Sequence, residues 1–145
     1  MGLFKTKEEK EAERKKKKLE AKQLEQRISN SAITQQLQQF LLNKFGDLNS
    51  EEVDKLRQLA ASGGRAGYLM DVQKEGILFK LINGKGELLD KWAITFDALG
   101  YQDLPSAGVN VLEKILRQTL ESIPHLMVLD TGFFMYKKNR EKLSW

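Results

Sequence analysis

The chain of 145 residues has no cysteine, one histidine and two prolines. Without cysteine there is neither a disulfide nor a thiolate metal site, and a reducing compartment suits the composition. A lone imidazole gives no basis for a transition-metal centre, so no cofactor is expected. Long apolar runs are also missing. Nothing approaches the roughly 18 uninterrupted apolar residues of a membrane span, and no apolar run follows the first charges as an export signal requires. The expectation is a soluble, cytoplasmic chain.

The length suits one domain with a genuine core plus an appendage. Hydrophobic residues make up 41% and charged residues 30%, and the formal net charge is +4. That charge is unevenly placed. Residues 1–27 hold ten Lys/Arg against six Glu, whereas residues 28–145 carry fourteen of each sign. The sequence therefore divides into a charged helical arm, 1–27, and a neutral domain, 28–145.

From Lys5 to Lys22 nearly every residue is charged, and after Thr6 there is no Gly, Pro or β-branched residue. The segment reads as a solvated helix. An apolar stripe through Leu24, Ile28, Ala32, Leu37 and Leu41 extends the same helix to Phe45, with one slip in the spacing and Gly46 as its stop. A second, short helix follows, with Asn49 as its cap, Glu52 completing a capping box and Leu48 with Val53 forming a staple.

The helical period then gives way to alternation. Strands are expected at Tyr68–Gln73, Ile77–Ile82 and Leu88–Phe96, with Asn83-Gly84-Lys85-Gly86 supplying the positive-φ positions of a hairpin. In the third strand Leu88, Asp90, Trp92, Ile94 and Phe96 share the core face. A third helix over Ala107–Ser122 ends before Pro124, and Leu126–Leu129 with Phe133–Lys137 read as two final strands. The fold class is α+β: a charged helix and a short helix, then an antiparallel sheet of four to five strands covered by one helix from the C-terminal half.

Candidate sites are few. Val128-Leu129-Asp130-Thr131-Gly132 resembles the active-site loop of aspartic proteases, but Phe133 stands where that family has a small residue. A turn explains it. Gly64-Arg65-Ala66-Gly67 resembles the loop with which KH domains clamp a nucleic-acid backbone, but a strand follows where that motif needs a helix. Met1-Gly2-Leu3-Phe4-Lys5-Thr6 fits the myristoylation pattern. His125, beside Pro124, is placed by its helix end rather than by any nucleophile nearby.

Two surfaces carry the functional expectation. The first is the apolar stripe, with Leu24, Ile28, Leu37 and Leu41 as a face for a protein partner or a second copy. This makes the chain a non-enzymatic protein-interaction module. The second is Lys15, Lys16, Lys17, Lys18 and Lys22, which can neutralise phosphates of nucleic acid or lie against an anionic membrane surface. No aromatic residue stands between Phe4 and Phe40 to stack on bases. An enzyme with an unassigned site is the third reading.

Overall fold

A computed structural model describes residues 7–62 and 65–137. The acylation pattern, Gly63 and Gly64 of the Gly-rich connection, and the tail from Lys138 to Trp145 lie outside them. Among the described residues there are helices α1 (Lys7–Ser29), α2 (Ala32–Phe45), α3 (Glu51–Ala61) and α4 (Ser106–Glu121). The strands are β1 (Gly67–Val72), β2 (Gly76–Ile82), β3 (Leu88–Thr95), β4 (Leu126–Val128) and β5 (Phe133–Tyr136). They form one antiparallel sheet in the order β3-β2-β1-β5-β4. The fold is α+β, and no described helix is long and apolar enough to cross a membrane.

The long N-terminal helix expected from sequence is two helices. Ser31 adopts an extended backbone between them (φ −72°, ψ 149°), and its side chain accepts a hydrogen bond from the Thr34 amide. A serine hydroxyl satisfies one of the four amides that a new helix leaves open. The slip in the apolar spacing near Ala32 marks this break.

The next cap also differs from expectation. Ser50, not Asn49, caps α3 by accepting from the Val53 amide. Glu52 does not close a capping box and instead pairs with Lys44 at 3.2 Å. In the β2–β3 hairpin only Gly86 has positive φ. Asn83 contributes through its side-chain oxygen, which accepts from the amides of Lys85 and Glu87.

Phe45, the last residue of α2, sits at the centre of the core. Its ring lies 4.8 Å from Phe134, 5.4 Å from Tyr68 and 5.9 Å from Phe79, so one helix end contacts three strands. Leu56 of α3 and Leu112, Leu116 and Leu120 of α4 are buried in the same cluster. All four helices contribute to this core, Ile28 from α1 among them, so the sheet is not covered by one helix from the C-terminal half alone. Burial alternates along β1 and β2 as a sheet with one apolar face requires. On β3 the expected face is present from Asp90 onward, with Asp90, Trp92 and Ile94 half-buried. Leu88 is not part of it: a register shift between Leu81 and Ile82 sets Leu88 opposite Ile82, where it is exposed. An edge strand has fewer neighbours, and here it leaves room for a cleft.

Candidate functional site

That cleft lies between α2, α3 and β3. It encloses about 360 Å³ and is lined by Phe40, Lys44, Glu52, Lys55, Asp90, Trp92 and Ile94. α2 supplies Phe40 and Lys44, one turn apart on one helix face. The period of two on β3 brings Asp90, Trp92 and Ile94 to the same side. The charges pair within the cleft: Lys44 with Glu52 at 3.2 Å, and Lys55 with Asp90 at 3.5 Å and with Glu51 at 3.8 Å. A more apolar groove of about 540 Å³ shares Phe40 and Ile94 and adds Leu37 and Leu99.

Beside the charged cleft the Tyr68 hydroxyl is buried, and its proton has no acceptor among the described residues. Burial raises the phenol above its ordinary pKa, against the opposing pull of the Trp92 indole N–H and the Lys55 ammonium. Indole nitrogen only donates, so it gives the phenol proton no acceptor. Burial alone would lower Lys55, but attraction to Tyr68 in its ionised form and to Glu51 and Asp90 outweighs it and leaves the ammonium above its ordinary value. A raised phenol and a raised ammonium are both fully protonated near neutrality. Neither is poised to take up a proton from a substrate.

The other titratable candidates serve the fold. His125 is buried, with Nε2 2.7 Å from the Phe45 carbonyl oxygen. Asp130 lies in an exposed turn, and its backbone carbonyl accepts from Arg117 at 2.9 Å. Gly132 completes that turn with φ of 88°. Gly67, the last residue of the Gly-x-x-Gly sequence, already belongs to β1.

On α1 the four consecutive lysines do not form one surface. At 100° per residue Lys15, Lys16, Lys17 and Lys18 point in four directions, and all are exposed. Lys18 and Lys22 do share a face, and Lys10 and Arg14 continue it toward the N-terminus at strict i,i+4 spacing. Adjacency in sequence is thus not adjacency on the helix surface, where the i,i+4 relations of Lys10 with Arg14 and of Arg14 with Lys18 group the cations.

The four apolar residues assigned to a partner face are also redistributed. Leu37 and Leu41 are fully buried in the domain's own core, and Ile28 is buried there with them. Leu24 is half-buried against the same cluster. Ile28 occupies the space beside Gly108 of α4, so the stripe docks α1 onto the domain.

A surface not singled out from sequence is the second face of the sheet. Its apolar residues are Leu69 of β1, Leu78 and Ile82 of β2, Leu89 of β3, and Phe133 and Met135 of β5, with Met127 at the far edge. Asp71, opposite Leu78, and Thr95 are polar positions among them. All are half-buried or exposed; Leu89 retains 47% and Met127 41% of its accessible surface. An antiparallel sheet facing water on one side normally alternates apolar with polar residues. Here both faces are largely apolar. Within this face Lys80 lies directly opposite Lys91, and neither ammonium has a partner among the described residues. Like charges in register destabilise a strand pair. The sequence signal was present in the second set of alternating positions: Leu69, Leu78 and Ile82 are apolar where a solvated face would have polar residues.

No protein family, curated protein or solved structure matches this chain.

Proposed function

We propose that the chain is a non-catalytic protein-interaction module of a reducing, cytoplasmic compartment, and that the open face of its sheet receives the partner. The observation that carries this reading is the apolar surface formed by Leu69, Leu78, Ile82, Leu89 and Phe133 on a sheet face with no buried residue of its own among them. A contiguous apolar patch of this kind is characteristic of interaction surfaces. Lys80, set between Leu78 and Ile82 and opposite Leu69, and Lys91 across from it have no ion pair to a described residue and suit a partner segment that brings a carboxylate into an apolar contact.

The test starts with a photo-crosslinking residue at Leu78 or Leu89 in full-length protein in its host cells, with Lys114 on exposed α4 surface as control. A discrete protein adduct should form from the sheet positions alone. The identified partner, purified, should lose about tenfold or more in affinity for Leu78→Glu, as expected when one apolar anchor is removed. Helix and strand content should be unchanged. Equal adducts from both surfaces, or unaltered affinity of the variant, would reject the reading. A self-adduct would identify a second copy as the partner, and sedimentation would then show a dimer that Leu78→Glu dissociates.

A further inference from the structure

The exposed part of α1 offers a second surface, independent of the sheet. Lys10, Arg14, Lys18 and Lys22 form a ladder at i,i+4 spacing, and each is exposed. None of them has an ion pair or hydrogen bond to another described residue. Like charges at i,i+4 destabilise a helix. Three consecutive such steps are therefore a local cost of the free arm, removed when an array of anions lies along them.

The ladder has a defined side. Lys7 lies on the same face, and Lys15 and Lys17 flank it. Among the six carboxylates, Glu11 and Glu25 share this face and Glu8 borders it beside Lys15, whereas Glu9, Glu13 and Glu20 lie on the far side. The helix thus gathers most of its excess of nine Lys/Arg over six Glu on one edge, and leaves a mixed edge of Glu9, Glu13 and Glu20 with Lys16 and Arg27 opposite. A helical rise of 1.5 Å per residue makes the ladder about 18 Å long. Duplex nucleic acid presents one phosphate per about 1.7 Å of axis, so roughly ten phosphates fall within that length.

The arm is also held in place at its base. The Ile28 carbonyl oxygen accepts from the hydroxyls of both Ser31 and Thr34, and Ile28 is seated beside Gly108. The ladder is presented by a continuous helix whose base is anchored to the domain at Ile28. Membrane insertion is disfavoured because Lys7–Lys22 contains only Ala12, Leu19 and Ala21 as apolar residues, with no apolar face to bury in lipid.

We infer that α1 binds the phosphate backbone of double-stranded nucleic acid through Lys10, Arg14, Lys18 and Lys22. The contacts are to phosphate, so binding is independent of sequence. Guanidinium and ammonium groups neutralise backbone charge and release counterions, and the domain beyond Ile28 is free to hold a protein on its sheet.

The experiment is fluorescence anisotropy of the full-length chain with labelled DNA and RNA duplexes of about 20 base pairs over a salt series. Four phosphate contacts predict a slope of log K against log salt near −3.6. Two variants of equal net charge then separate geometry from charge: Arg14→Gln/Lys18→Gln on the ladder and Lys16→Gln/Arg27→Gln off it. The ladder pair should bring the slope to about −1.8 and weaken binding strongly at low salt, while the other pair stays close to the parent. Circular dichroism checks that each variant keeps its helix content. Equal effects of the two pairs, no duplex binding by the parent, or tighter binding to phosphatidylserine vesicles than to either duplex would overturn the proposal. Loss of the sheet-face partner with duplex binding intact would reject the interaction module alone.

Discussion

His125 Nε2 lies 2.7 Å from the carbonyl oxygen of Phe45, eighty residues earlier in the chain. Phe45 closes α2, and the last carbonyls of a helix have no partner within it. Both groups are buried, so the imidazole supplies a hydrogen bond that water does not. A carbonyl can only accept, which makes Nε2 the donor and fixes the ring's role. Replacing His125 with Leu keeps an apolar volume but leaves the carbonyl unsatisfied, and should cost about 1–3 kcal/mol. Urea unfolding monitored by circular dichroism measures this. An unchanged midpoint would mean that the carbonyl finds another donor.

The joint between α1 and α2 makes a second, separable prediction. Ser31 Oγ donates to the Ile28 carbonyl at 2.8 Å, and the buried Thr34 hydroxyl donates to the same oxygen. Ser31 Oγ also accepts from the Thr34 amide as the cap of α2. Ser31→Ala should lower stability by about 1 kcal/mol, the usual value of such a cap. Combined with Thr34→Val it should also release α1 from its docked position. Limited proteolysis would then cut near Asn30 faster than in the parent, and retention of the parent's cleavage pattern would show that Ile28 packing alone holds the arm.

Much of the architecture was legible in the sequence because alternation and helical period are local. The positions of β1, β2, β3, α4 and the last strand pair follow directly from where Val, Ile, Leu and aromatic residues recur. Boundaries set by a single hydroxyl were less visible: a serine at position 31 within an otherwise helical pattern is one Oγ away from being a solvated helix residue. The candidate surfaces were harder still. Leu37 and Leu41 stand at the same helical period whether a partner or the domain's own sheet buries them, and only the position of Phe45 above Tyr68, Phe79 and Phe134 decides between the two. The open sheet face depends on strand order, since Leu69, Phe133 and Lys80 become neighbours only when β5 pairs with β1.

That pairing rests on a close approach at Gly67. A Cβ there would collide with the Phe134 carbonyl oxygen and come within 3.0 Å of the Phe133 ring. The obstacle is backbone and cannot rotate away. The β1–β5 ladder is short, with Tyr68 opposite Phe134 and Leu69 opposite Phe133. Gly67→Ala should therefore cost about 1–3 kcal/mol, as overpacking does in a rigid core, and should loosen β4 and β5 first. Hydrogen exchange at the Phe134 and Tyr136 amides should accelerate more than at Phe79, which pairs with Met70 and Trp92 on either side. Uniform acceleration would place the strain elsewhere.

The Tyr68 hydroxyl yields the pH prediction. Burial raises its pKa above the ordinary 10.0, and Lys55 beside it is raised above 10.5. For both groups the folded state holds the proton more tightly than the unfolded state. Their contribution to stability is fully present below about pH 10 and is lost as pH rises through the folded values, because the unfolded chain releases these protons first. Stability should be insensitive to these two groups at neutral pH and should fall in the alkaline range. Tyr68→Phe removes the phenol from that balance and, with it, a buried donor that has no acceptor. The variant should be more stable than the parent by about 1 kcal/mol at neutral pH, since an unsatisfied buried hydroxyl costs about that much or more. Its alkaline decline should also be shallower. Thermal unfolding of both proteins across the alkaline range decides the matter: a less stable variant at neutral pH would mean that the hydroxyl has a partner in solution, and parallel alkaline curves would mean that Tyr68 does not titrate with folding.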